Sequence, residues 1–204
     1  VAAAQLGLQE EKADELAVVR QRLSDEMKRL LDQPGYAPSR ENAVIGGIPV
    51  DSEYILFILD TSGSMRQYAW GLVIRKVQEV LQVYPKVKGI QVMNDMGRYM
   101  FETYSGRWIP DTPSRRRAVV DRLKGWNSFS NSSPVEGIVA AVRGFYRKDR
   151  RISLYVFGDD FTGRNISNVV EEVARINALD DQGKPRVRIH AFGFPVLFKS
   201  TKHR

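Results

Sequence analysis

Hydrophobic positions along the 204-residue chain fall into two regimes. Within residues 1–33, Ala13, Leu16, Leu23, Met27 and Leu30 recur at three- and four-residue steps or their sum, the repeat of one helical face. That spacing predicts an amphipathic helix of five or more turns, roughly what 1.5 Å of rise per residue allows. Two roles fit it: a helix packed on the main domain, or a coiled-coil helix that drives homo-oligomerisation. Gln33-Pro34-Gly35-Tyr36-Ala37-Pro38 cannot continue a helix, so residues 34–51 read as a linker.

From about Asn42 apolar runs alternate with helical periods. Tyr54-Ile55-Leu56-Phe57-Ile58-Leu59 is unbroken, as in a strand buried on both faces of a sheet. Met65 to Tyr84 has helical spacing, Val87 to Met93 reads as a strand, and Asn94-Asp95-Met96-Gly97 as a turn into a short strand, Arg98 to Glu102. Thr112-Pro113 opens a helix running to about Lys124, with a capping hydroxyl before proline. Helices over Pro134 to Tyr146 and Ser167 to Ala178 then alternate with strands over Arg151 to Phe157 and Arg186 to Phe192. Alternation of this kind implies right-handed crossovers. The expected fold is a doubly wound, mostly parallel α/β sheet with one antiparallel edge strand, spanning residues 52–204 and preceded by the helical extension.

Composition narrows the chemistry. Hydrophobic residues make up 43% and charged residues 27% of the chain, values of an ordinary folded protein. With no cysteine there is no disulfide, thiolate metal site or cysteine nucleophile. The two histidines, His190 and His203, are too few for histidine-rich metal chemistry, and His203 lies in the C-terminal tail. The formal charge is +7, the sum of an acidic segment 1–33 (seven acids, five bases) and a remainder with 26 bases and 17 acids. Such a remainder attracts acidic partners. No stretch reaches the roughly 18 apolar residues of a membrane span. Val1-Ala2-Ala3-Ala4 reads as the remnant of a processing site or of an upstream membrane tether, so an exported, periplasmic or membrane-tethered bacterial protein is expected.

Ligands of doubly wound sheets bind at the carboxyl ends of the strands. Directly after the first long apolar strand stands Asp60-Thr61-Ser62-Gly63-Ser64-Met65, with a carboxylate and two hydroxyls at alternate positions. Alternate side chains of an extended chain point the same way, so Asp60, Ser62 and Ser64 can converge on one point. A carboxylate with neutral hydroxyls is hard-oxygen coordination and suits Mg²⁺, with Mn²⁺ or Ca²⁺ as the nearest substitutes.

This Asp-x-Ser-x-Ser pattern, following an apolar strand and opening a helix, resembles the metal-ion-dependent adhesion site of von Willebrand factor type A domains. The likeness extends over residues 52 to 194. It implies a second-loop hydroxyl, matched here by Ser130-Asn131-Ser132-Ser133-Pro134. Ser133, with Glu136 three residues on, has the form of a helix-capping box, which leaves Ser132 as the expected ligand and Ser130 behind it. The resemblance further implies an aspartate after the fourth strand, matched by Asp159 in Val156-Phe157-Gly158-Asp159-Asp160; the usual flanking threonine and glycine are not there. The implied metal set is Asp60, Ser62, Ser64, Ser132 and Asp159, with one position open to an Asp or Glu of a protein partner.

Other readings weaken on the residues. An aspartate-based phosphatase needs a second aspartate where Ser62 stands, and nothing else offers a general acid or base, so a binding module rather than an enzyme is expected. A basic nucleic-acid or anionic-surface binder with a vestigial metal motif is the alternative, resting on Arg115-Arg116-Arg117 and on Arg147-Lys148 with Arg150-Arg151. No nucleic-acid motif accompanies these clusters, so no nucleic-acid partner is expected. Asn94-Asp95 reads as turn chemistry, the three tryptophans as core or loop anchors, and His190 as structural.

Overall fold

The computed structural model describes residues 44–45, 48–132, 134–159 and 166–194. The chain divides into two units, Val1–Ala43 and Val44–Arg204; the expected amphipathic helix and most of the expected linker lie outside the described residues. Val44–Ile45 (β1) and Ile48–Pro49 (β2) pair antiparallel inside the stretch read as linker.

A five-stranded sheet forms the centre of the second unit. Its strands are Tyr54–Leu59 (β3), Gly89–Asn94 (β4), Ile109–Pro110 (β5), Ile152–Gly158 (β6) and Arg188–Gly193 (β7), ordered β5-β4-β3-β6-β7. All neighbours run parallel except β4 and β5. The chain leaves β3 for β4 on one side and later enters β6 on the other. The order therefore reverses at β3, and its carboxyl end is the switch point at which such sheets bind ligands.

The described helices are Trp70–Val83 (α1), Pro113–Gly125 (α2), Pro134–Phe145 (α3) and Ile166–Ile176 (α4). A π-helical turn, Met65–Ala69, leads into α1, where the spacing predicts one uniform helix. Thr112 caps α2 as expected, its hydroxyl accepting the Arg115 N–H at 3.2 Å.

Alternation along β3 divides the core between two faces. Leu56 and Ile58 pack with Leu154, Val156 and the α3 residues Ile138, Val142 and Phe145. On the opposite side, Phe57 meets Tyr155 and Phe157 at ring separations of 5.7 and 6.2 Å. Each such aliphatic or aromatic side chain, fully withdrawn from water, contributes about 1.5–3 kcal/mol before entropy is subtracted. Trp70 is an anchor as expected, its indole N–H donating to the Leu123 carbonyl at 2.9 Å and joining α1 to α2.

The antiparallel edge differs from the expected hairpin. Arg98 to Glu102 is no strand: it makes a single bridge, Met93 to Tyr99, with the Met100 N–H donating to the Val92 carbonyl at 3.0 Å. The edge strand is β5. Between the two contacts Gln91, fully buried, takes the place of a strand. Its amide Nε2 donates to the carbonyls of Tyr104 and Arg107 at 2.9 and 2.6 Å, so those loop carbonyls are satisfied by a side chain rather than a ladder.

Candidate metal centre

The carboxyl ends of β3, β4 and β6 lie side by side because of their register. Leu59 pairs with Asn94 on one side and with Phe157 on the other. The next residues in line are Asp95, Asp60 and Gly158. Asp60 donates its backbone N–H to the Phe157 carbonyl at 2.8 Å, and Asp95 donates its own to the Leu59 carbonyl at 3.0 Å. Both acids are thereby fixed at the edge, 1% and 0% exposed.

Asp60 then turns the chain. Its Oδ1 accepts the Ser62 N–H at 2.8 Å, the local bond by which aspartate initiates a turn. Ser62 Oγ and Ser64 Oγ lie 3.1 Å apart, so the two hydroxyls predicted to converge do so. Ser64 already has right-handed helical angles, and the wider π-helical turn follows it directly. Turns of that kind recur at functional sites.

Ser130 arrives from the loop before α3 and touches both acids. Its Oγ lies 3.0 Å from Asp60 Oδ1 and 2.7 Å from Asp95 Oδ2. A hydroxyl has one hydrogen, so it can donate to only one of the two carboxylates at a time. Asn94 holds that loop in place: its Nδ2 donates to the Phe129 carbonyl at 2.8 Å and to Ser128 Oγ at 3.2 Å, while its Oδ1 accepts the N–H groups of Met96 and Arg98. Asn94 thus performs the expected turn chemistry and a second task across the site.

Burial raises the Asp60 carboxyl above its ordinary value and the charge of Asp95 adds to that, against hydrogen bonds from Ser62 and Ser130. Its Oδ2 is buried with no hydrogen-bond partner among the described residues. A Cβ built on Gly158 would lie 3.7 Å from that oxygen, which locates it on the β6 side of the site. Asp159 follows in the loop after β6, half-buried. Ser132 is buried in the left-handed region at φ 55°, and its N–H donates to Ser130 Oγ at 3.1 Å.

The expected residues Asp60, Ser62 and Ser64 are therefore together, and Ser130 rather than Ser132 is the second-loop serine bonded to Asp60. Asp95, expected only as a turn residue, is the second acid joined to this cluster. The legible sign of it was that two buried runs, β3 and β4, each end next to an acid. Among the described residues no three His, Cys, Asp or Glu side chains form a metal-binding group.

These residues suit a small hard cation. Two oxygens bound side by side to Mg²⁺ at about 2.1 Å are about 3.0 Å apart, whereas Ca²⁺, at about 2.3–2.6 Å, spreads them further. The Ser62 and Ser64 hydroxyls, hydrogen-bonded to each other at 3.1 Å, are close enough to share one cation of this kind. The buried, unpartnered Asp60 Oδ2 is the oxygen such an ion would satisfy.

No protein-family model matches the sequence. No curated protein matches it either. Among solved structures, the fold is similar to a von Willebrand factor type A protein from Catenulispora acidiphila, at 10% identity and a TM-score of 0.44. The match covers 71% of this chain and 39% of that one.

Proposed function

We propose that this protein is a non-enzymatic, divalent-metal-dependent protein-binding module. Asp60, Ser62 and Ser64 hold Mg²⁺ at the switch point of the sheet, with Ser130, Ser132, Asp95 and Asp159 around it and an acidic residue of the partner completing the site. The observation that carries this reading is the Asp60 carboxylate: buried, short of one partner, and joined through a single serine hydroxyl to a second buried acid. Isolated buried charge of this kind is costly unless a cation or proton offsets it.

The metal would neutralise the paired acids and, with hydroxyls among its ligands, keep enough pull to take an external carboxylate. The helical turn that follows Ser64 and the loop that carries Ser130 also expose large apolar groups, Tyr68 at 55% and Phe129 at 68%. Aromatic anchors near a polar centre suit a protein partner better than a polyanion. An exported or membrane-tethered setting and self-association through residues 1–33 belong to the same proposal.

Calorimetric titration of Mg²⁺ into the full chain and into Asp60→Ala tests it. Saturable binding to the first, weakened at least about tenfold in the second, is expected, a loss of about 1.4 kcal/mol or more. Equal affinity in both sinks the proposal.

A further inference from the structure

At the opposite end of the sheet, the amino ends of β6 and β7 border a cleft of about 490 Å³. That is within the size range of small-molecule sites. Two stretches distant in sequence supply its cations: Lys148, Arg150 and Arg151 before β6, and Lys184, Arg186 and Arg188 before or at the start of β7. The only carboxylates in its lining are those of Asp51 and Asp180.

Part of this charge has local employment. Arg186 donates to the Ile176 carbonyl at the end of α4, where a cation suits the helix dipole, and its guanidinium lies 5.7 Å from the Tyr146 ring. Arg188 pairs with Asp51 at 2.5 Å, and Arg150 lies over the Tyr54 ring at 5.4 Å. These contacts hold the guanidinium groups in place. Lys148 pairs with Asp181, an exposed acid outside the lining, at 2.8 Å, and also feels the charge of Asp180.

We propose that this cleft binds an anion carrying two adjacent phosphoryl groups. Planar guanidinium forks match phosphate oxygens, and oriented forks lose little freedom on binding. Lining cations exceed lining carboxylates by four, or by three once Asp181, paired with Lys148, is counted. One phosphate carries only about 1.5 to 2 negative charges at neutral pH, so two are needed to meet the surplus. The buried Ser52 hydroxyl, 2.7 Å from Ser153 Oγ, adds a polar group to the floor of the cleft. The site lies at the amino edge, away from the Asp60 cluster, and does not depend on it.

The test is calorimetric titration of the full chain with inorganic phosphate, inorganic pyrophosphate and adenosine diphosphate, in chelator so that metal at Asp60 plays no part. Pyrophosphate is expected to bind saturably and more tightly than phosphate. Arg151→Gln with Lys184→Gln, both exposed positions, should weaken it about tenfold or more. The charge-matched pair Arg75→Gln with Arg117→Gln, exposed on α1 and α2, should leave it unchanged. Tighter binding of the nucleotide assigns the phosphates to a nucleoside diphosphate; equal binding assigns them to a free diphosphate, and either supports the site. No pyrophosphate binding at millimolar concentration, affinity no better than that of phosphate, or equal losses in the two double variants overturns it.

Discussion

At Asp60 the chain keeps a carboxylate almost wholly out of water while leaving one of its oxygens without a hydrogen bond. Ser62 and Ser130 satisfy the other oxygen, and the nearby charge of Asp95 opposes ionisation. Residues held under such strain are expected where a ligand relieves it, at a cost in stability when the ligand is away. Asp60→Asn keeps the shape and removes the charge. In chelator this variant should therefore be at least as stable as the parent, by up to about 1 kcal/mol, in denaturant titration. Added Mg²⁺ should stabilise the parent and not the variant. A variant that is destabilised in chelator and still responds to Mg²⁺ would show Asp60 to be purely structural. Asp60, Ser62 and Ser64 were legible because they are contiguous. Asp95 was not, since turn chemistry is a sufficient local explanation of Asn94-Asp95 until the register of β3 with β4 is known.

Elements set the site through close approaches that a sequence shows poorly. The first turn of α3 packs directly on the Asn94–Asp95 turn: Gly137 donates its N–H to the Asp95 carbonyl at 2.6 Å. A Cβ at Gly137 would lie 2.8 Å from Ile58 Cγ2 and 2.9 Å from that carbonyl oxygen. Gly137→Ala should thus push α3 outward, lower stability by about 1–3 kcal/mol and weaken Mg²⁺ binding with it; unchanged stability and binding would remove this packing from the account. Helices and parallel strands were readable from their periods because each buries one face or both. The edge was not, since Gln91 replaces a strand by bonds that no periodicity encodes. His190, on β7, is structural in the sense expected: it stacks on Tyr155 at 4.8 Å, and burial, then the charge of Arg188, lowers its basicity. The folded state resists protonating it, so stability should fall as pH drops below about 6.5, where the unfolded histidine takes up its proton. Comparing denaturation midpoints between pH 7.5 and 5 checks this: the parent should lose more stability than His190→Phe, and parallel profiles would contradict it.

Across the whole sheet the two edges differ in charge. Asp60, Asp95 and three serine hydroxyls gather at the carboxyl edge, six cations line the cleft at the amino edge, and the net +7 of the chain shows neither cluster. Charge totals alone pointed to acidic partners without locating them. The basic clusters divide in the same way: Arg116 is engaged by Asp111 at 2.6 Å, whereas the 147–151 cluster meets Lys184, Arg186 and Arg188 only once the chain has folded. The doubly wound architecture was legible because alternating buried strands and amphipathic helices admit few other arrangements. The partner's identity is not written in those patterns, because partner choice resides in the loops around the site. The function proposed for the carboxyl edge depends on a divalent cation at the Asp60 cluster. Anomalous diffraction from crystals of the full chain soaked in Mn²⁺ tests it most directly. A peak is expected within about 2.3 Å of Ser62 Oγ and Ser64 Oγ and next to the Asp60 carboxylate, directly or through one water. Peaks confined to other acidic residues, with the Asp60 cluster empty at saturating Mn²⁺, would contradict it.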